Sequence, residues 1–304
     1  MAKLDVIGLG VSTVDILARV DHLPAEDEVL PADELILQGG GPVSTAVVAL
    51  ARLGGRAAML DALGDDWRGR LIVEELAREK VSTAAIRIRP GCTSSTAIVL
   101  ASRQSGARSI VFRPGNAPEL QAEELLPAEI AAAGILHLNG RHGAACIPAA
   151  RMAREQQVQV SFDGGAQRYR PELDDLLPLV DICIVALEFA RRFSGETRPE
   201  NAARALLRAG PGLVVITDGT RGSDIFPHAG VGFHQPAFVM QKVVDTTGCG
   251  DAYHGAFLWG LCQGMSLPQT AALASAVAAL NTRQLGGRSA LPDLDTALSW
   301  MKSQ

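Results

Sequence analysis

The sequence predicts a three-layer αβα protein with a mainly parallel central sheet and a second, smaller sheet beside it. Three observations point there. Short runs rich in Val and Ile alternate with longer segments of helical period along most of the chain. Two stretches, 11–38 and 92–114, break that alternation and leave no room for a helix between their apolar runs. Finally, 304 residues with 47% hydrophobic and 20% charged side chains suit one large α/β unit over 1–304 better than several small ones.

In chain order, LDVIGL (4–9) is the first strand, and 11–38 reads as strand, turn, strand. PVSTAVVALARLG (42–54) has helical period and AAMLDAL (57–63) is the next strand. In 92–114, TAIVLAS and RSIVF flank the turn RQSGA, whose Gly106 supplies the positive φ a hairpin loop needs. ILHLN, VQVSF, DICIVA and GLVVIT continue the strand series, with PAARMAREQQ (148–157) as a connecting helix. The hairpins either pair into a small sheet of their own or extend the edges of the main one. Right-handed crossovers put helices on both faces of the main sheet, and ligands bind at the carboxyl ends of its strands, so the site is expected on loops.

The net charge of −5 lacks the basic excess that phosphate backbones demand, so the expected partners are small molecules and not nucleic acid. Five scattered cysteines, Cys92, Cys146, Cys183, Cys249 and Cys262, form no C-x-x-C pair and fit a reducing cytoplasm. The opening MAKLDVIGLG lacks a signal-peptide core, and the apolar run at 271–280 is too short to span a bilayer, so no membrane association is expected.

The chemistry concentrates in DTTGCGDAYHG (245–255), just before the apolar AFLWGL. Gly248, Cys249 and Gly250 can turn successive backbone N–H groups into one concavity, and the positive end of the following helix adds about 1 kcal/mol for an anion. Asp251 behind that turn is either a helix cap or a base that takes a proton from a group attacking a bound phosphate.

DTTGCGD resembles the D-T-x-G-A-G-D signature of the ribokinase-like sugar kinases, often called the PfkB family, with Cys249 in the usual alanine's place. GGGPVSTAVVALARLGG (39–55) is similar to the family's di-glycine segment, VVITDGTRGSDIF (214–226) to its nucleotide-loop strand, and ALNTRQLGGRSALP (279–292) to its C-terminal segment. The resemblance implies a ribokinase-like fold with a lid formed by 11–38 and 92–114, and a homodimer clasped through that lid. It implies that ATP, with Mg²⁺, phosphorylates a hydroxyl of a small sugar. It makes Asp251 the general base and Gly248, Cys249 and Gly250 the donors to the transferring phosphate. Asp15 would grip sugar hydroxyls, Gly39, Gly40 and Gly41 would admit substrate to the backbone, and Ser44 replaces a sugar-binding asparagine common among relatives. Without the resemblance, Asp15 reads as an exposed strand charge and the three glycines as a helix-entry turn. Thr217, Gly219 and Gly222 match the loop beneath the ATP phosphates, and Gly287 falls near the adenine. The carbonyls of Asp245 and Thr247 lie where some relatives hold a monovalent cation such as K⁺.

The sequence departs from the family at its N-x-x-E motif, where Ala186 and Phe189 occupy the two positions and Glu188 is one residue off register. Either water and ATP hold Mg²⁺, or Glu188 or another acid substitutes. LHLNGRHG (136–143) is similar to a ketohexokinase stretch, and sulfofructose kinases carry an arginine there as well. Arg141 is therefore either an anchor for an anionic substituent of a ketose or a surface arginine, and Arg113 is a second candidate. His142 and His254 read as polar groups near the cleft.

GLGVST (8–13) nearly forms a dinucleotide fingerprint but ends in Thr13, which weakens a dehydrogenase reading. No Walker A motif occurs, and no H-E-x-x-H or G-x-S-x-G. A non-catalytic sugar or nucleotide sensor, or a kinase of a nucleoside or sugar phosphate, remain alternatives. Cys249 itself is either a reactive thiol, its pKa depressed by the helix terminus, or a small residue standing in for alanine.

Overall fold

A computed structural model describes residues 3–104 and 106–304. Met1 and Ala2, at the start of the expected 1–304 unit, and Ser105, in the expected RQSGA turn, lie outside the described residues.

The strands are β1 Leu4–Leu9, β2 Thr13–Val20, β3 Glu34–Gly40, β4 Ala57–Gly64, β5 Val81–Ser82, β6 Ile86–Arg89, β7 Ser95–Ser102, β8 Arg108–Arg113, β9 Ala133–Leu138, β10 Gln159–Gly164, β11 Ile182–Ala186, β12 Leu213–Thr217, β13 Ser223–Pro227 and β14 Phe233–Gln235. The helices are α1 Pro42–Arg52, α2 Trp67–Arg78, α3 Pro127–Ala131, α4 Gly143–Glu155, α5 Leu187–Ser194, α6 Pro199–Ala209, α7 Cys249–Cys262, α8 Leu267–Asn281 and α9 Leu294–Met301.

The main sheet runs β14-β13-β12-β11-β10-β9-β1-β4-β5, with β6 also paired to β4. Every pairing from β5 and β6 to β12 is parallel, and β13 and β14 add an antiparallel edge. Its central strands are mostly apolar because both faces are buried, with Asp61, His137, Ser161 and Asp163 as buried polar exceptions. Along β1, Val6 packs into the layer holding α1, α7 and α8, while Ile7 packs into the layer holding α4, α5 and α6.

The two interrupted stretches form a separate four-stranded sheet, order β3-β2-β7-β8. Each supplies an antiparallel pair, and the pairs join through parallel contacts of β2 with β7. One face is closed by Leu17, Ala97, Val99, Ala101 and Leu285. Leu37, Ile98 and Val111 lie in one lateral row with Ile16 on the other face, and all three are exposed. No helix among the described residues is long and apolar enough to cross a membrane.

Candidate active site

Asp15, the Gly39–Gly41 segment, the 245–251 turn and Gly287 lie where the small sheet meets the start of α7. The turn before α7 is held from below by Asp245. Its Oδ1 accepts from the Thr247 N–H and hydroxyl (both 2.8 Å), and its Oδ2 accepts from the Gly286 N–H at 2.9 Å. Gly248 then takes φ 71°, a left-handed conformation that costs a glycine little, and α7 begins at Cys249. The Cys249 N–H is engaged, at 3.4 Å, by the Thr246 carbonyl. Among the described residues the N–H groups of Gly248, Gly250 and Asp251 have no hydrogen-bond acceptor, so three donors stand at the positive end of α7. Sequence reasoning assigned the Cys249 amide to this set and missed that of Asp251.

The half-buried Asp251 carboxylate makes no hydrogen bond or ion pair to a described residue, so it is not a side-chain cap. Desolvation, and next the nearby Asp163 carboxylate, push its pKa up, while Arg168, His254 and Arg108 pull it down. Asp163, at the end of β10, pairs with Arg168 at 3.2 Å and lies 3.6 Å from Nε2 of His254. The His254 ring is tilted against His137 with centroids 5.5 Å apart. Burial lowers the two histidines to about 4 and about 3, so both are neutral.

Cys249 does not fit the reactive-thiol reading. Desolvation raises its pKa to about 12, outweighing the helix terminus and the neighbouring Arg108, and Asp245 and Asp251 add to the rise.

Across the cleft, Asp15 on β2 accepts from the Thr13 hydroxyl at 2.6 Å and packs so closely on Gly40 that a methyl group there would collide with its carboxylate. Burial raises the Asp15 pKa; Thr13 and Arg288 offset it, and Asp251 and Glu75 add to it. Gly39 and Gly40 end β3, and Gly41, at φ 94°, opens α1 against the Val11 carbonyl. Ser44 is fully buried, its Oγ accepting from Arg288 Nη2 at 2.7 Å, so its hydroxyl is engaged by the buried guanidinium.

A sequence model described as pfkB family carbohydrate kinase matches residues 1–294. The chain belongs to that family. It is similar to mouse ketohexokinase, 22% identical over 88% of this chain and 93% of that one, and to mouse ribokinase, 29% identical over 96% and 94%. Among solved structures it superposes on a putative ribokinase from Agrobacterium tumefaciens with TM-score 0.89 (24% identity, 99% and 98% covered). Arabidopsis thaliana ribokinase, solved with ribose and ATP, superposes with TM-score 0.84 (25% identity, 99% of each chain covered). This protein is thus a carbohydrate kinase with a ribokinase-like fold.

On the other flank of the kinase cleft, Thr217 ends β12 and donates to the Val185 carbonyl at 3.4 Å. Gly219 and Gly222 have positive φ and bound a single tight turn; a side chain at Gly222 would strike the Gln235 carbonyl. Gly287 lies directly against Gly248 and Thr247. Arg141 lines a cavity of about 80 Å³ with Ser12, Ser94, Ser95, Glu119 and His142. Among the described residues its buried Nε has no hydrogen-bond partner, and Nη2 makes a 3.7 Å contact with Glu119. Arg113 is exposed at the end of β8. His142 is buried and bonded to Asp61 at 2.9 Å. Glu188 pairs with Arg192 at 2.8 Å, and no group of three or more acids, histidines or cysteines able to hold a metal exists among the described residues.

Proposed function

We propose that this chain transfers the γ-phosphoryl group of ATP to a hydroxyl of a small sugar, a ketose or an anionic ketose derivative, with Asp251 as the general base. The observation that carries this reading is the free Asp251 carboxylate beside the unengaged N–H groups of Gly248, Gly250 and Asp251. A carboxylate left without a partner at an anion cradle is repelled by phosphate unless it receives a proton there. Asp15, pressed on Gly40, accepts from sugar hydroxyls, and Gly39–Gly41 let the sugar reach the backbone. The amides hold charge that develops on the transferring group, and in a loose transition state this positioning dominates the barrier.

Thr217, Gly219, Gly222 and Gly287 form the nucleotide side. Mg²⁺, when bound with ATP, neutralises phosphate charge. The absence of a dense acid cluster among the described residues suits a metal held chiefly by ATP and water, with Asp163, whose charge acts on Asp251, an acid that could stand in for the drifted motif. A monovalent cation beside Asp245 and Thr247 has one supporting observation: Asn281 donates to the Thr247 carbonyl at 3.2 Å while its own buried Oδ1 has no partner among the described residues.

In this reading 1–304 is one unit, and 11–38 with 92–114 form a lid. Arg108 of β8 donates to the Thr246 hydroxyl at 3.1 Å, and that hydroxyl donates to the Gly106 carbonyl at 3.2 Å, which latches the lid tip to the residue before the cradle. The apolar outer row at Leu37, Ile98 and Val111 is where a second copy would clasp.

Arg141, with its unpartnered buried Nε, supports an anionic substituent on the sugar. The test is a coupled ADP-release screen with MgATP across ribose, fructose and fructose derivatives bearing sulfonate or phosphate. The expected result is a preference for an anionic ketose that Arg141→Met removes. Preference for neutral ribose takes Arg141 out of the site.

A further inference from the structure

Arg288 heads the fully buried side chains by volume, with 1% of its surface exposed. Its Nε donates to Thr45 Oγ1 (3.1 Å) and Nη1 to Glu75 Oε1 (3.0 Å), while Nη2 donates to the Gly40 carbonyl (3.0 Å) and to Ser44 Oγ (2.7 Å). Glu75 closes the ring by accepting the Gly39 N–H at 2.6 Å. The Arg288 N–H donates to Gln38 Oε1 at 3.1 Å. Every one of these bonds grips, directly or through Glu75, the 38–45 segment that carries the substrate-side glycines.

The residues just before Arg288 grip the other half of the site. Gly286 N–H donates to Asp245, Gly287 abuts Gly248, and Asn281 Nδ2 donates to both the Gly287 and Thr247 carbonyls. A three-residue stretch, 286–288, therefore ties the anion cradle to the sugar-side loop. Stability alone is a weak reason for it, since apolar residues of similar volume often replace a buried ion pair without loss.

We propose that Arg288 is a positioning residue that holds Asp15 and the Gly39–Gly41 backbone in register with the phosphate cradle, so that the acceptor hydroxyl and the phosphoryl group meet in line. This rests on the sugar-kinase reading of the same site. Arg288 acts on Asp15 in two ways. It fixes the Gly40 carbonyl beside that carboxylate, and its charge, with the Thr13 hydroxyl, works against the burial and the acids Asp251 and Glu75 that raise the Asp15 pKa. Removing the cation raises the Asp15 pKa further, and sugar binding that needs the anion is then lost from a higher pH downward.

The experiment compares wild type, Arg288→Met and Arg288→Lys by steady-state kinetics with D-fructose and MgATP, alongside thermal shift with MgATP. For Arg288→Met we expect KM for fructose to rise about tenfold or more, the loss of roughly one aligned hydrogen bond, with KM and thermal shift for MgATP unchanged. The acid limb of kcat/KM for fructose moves to higher pH. Lysine restores the limb but not KM, because it returns the charge without the planar fork. Should the Met variant fail to fold, the raised fructose KM of the Lys variant decides. Unchanged fructose KM and acid limb in a folded variant, or equal losses toward fructose and ATP, overturn the proposal. A wild type that phosphorylates no sugar sinks the sugar-kinase reading and this inference with it, a result recognisable before any variant is made.

Discussion

Asp251 is a carboxylate kept where ionisation is unfavourable, since desolvation and the Asp163 charge both favour its protonated form. As a base it must be ionised, so activity falls as pH drops through its raised pKa, and the acid limb of kcat lies above the ordinary carboxylate range. Asp163→Asn removes a like charge and frees Arg168, both favouring the anion, so that limb is expected to move to lower pH in a pH–rate profile. No movement would remove Asp163 from the electrostatics of the base. At Cys249 the dipole of a helix terminus, worth about 1 kcal/mol, competes with the desolvation of a thiolate and loses. Cys249→Ala is therefore expected to keep kcat within about twofold, since only a small side chain is needed there. A much larger loss would give the thiol a role. The sequence pattern displays the dipole and hides the burial, which is why it left the reactive-thiol and small-residue readings of Cys249 both open.

At the scale of elements, β9 and α7 bring His137 and His254 together under the cleft in neutral form. Their folded pKa values, about 3 and about 4, lie below the unfolded value near 6.5, so the unfolded chain binds more protons between those limits. Stability is thus lost as pH falls below about 6.5, with His137, the more strongly shifted ring, contributing the larger share. His137→Gln should flatten the acid side of a Tm-against-pH curve, and an unchanged slope would contradict the neutral pair. The main strands were readable because each is a short, largely apolar run between turn residues, and α7 because a glycine turn precedes its apolar stretch. The two-residue β5, the short β6 and β14 carry no periodicity that could announce them. The parallel pairing of β2 with β7 joins segments about 80 residues apart, and no local turn sets its register. Arg288 was unreadable for a similar reason: among glycines and serine it looks like a surface charge, and only the fold shows the 38–45 segment wrapped around it.

For the whole molecule, the small sheet has one face committed to Asp15 and the core, while the other presents Leu35, Leu37, Ile98 and Val111 to solvent. A monomer with that face bare invites association, and a homodimer in light scattering is the expected state. Val111→Glu should yield monomers of unchanged melting temperature with weaker sugar affinity, because the lid loses its clasp; a wild-type monomer would contradict the dimer. The kinase reading joins the sheet, the lid and the cradle into one machine whose output depends on a proton leaving the acceptor hydroxyl at Asp251. The direct measurement is kcat of Asp251→Asn on the best sugar of the screen, with MgATP binding followed in parallel. The expected result is a fall of about 10² to 10⁴ in kcat with MgATP affinity retained. Turnover within a few-fold of wild type would contradict it.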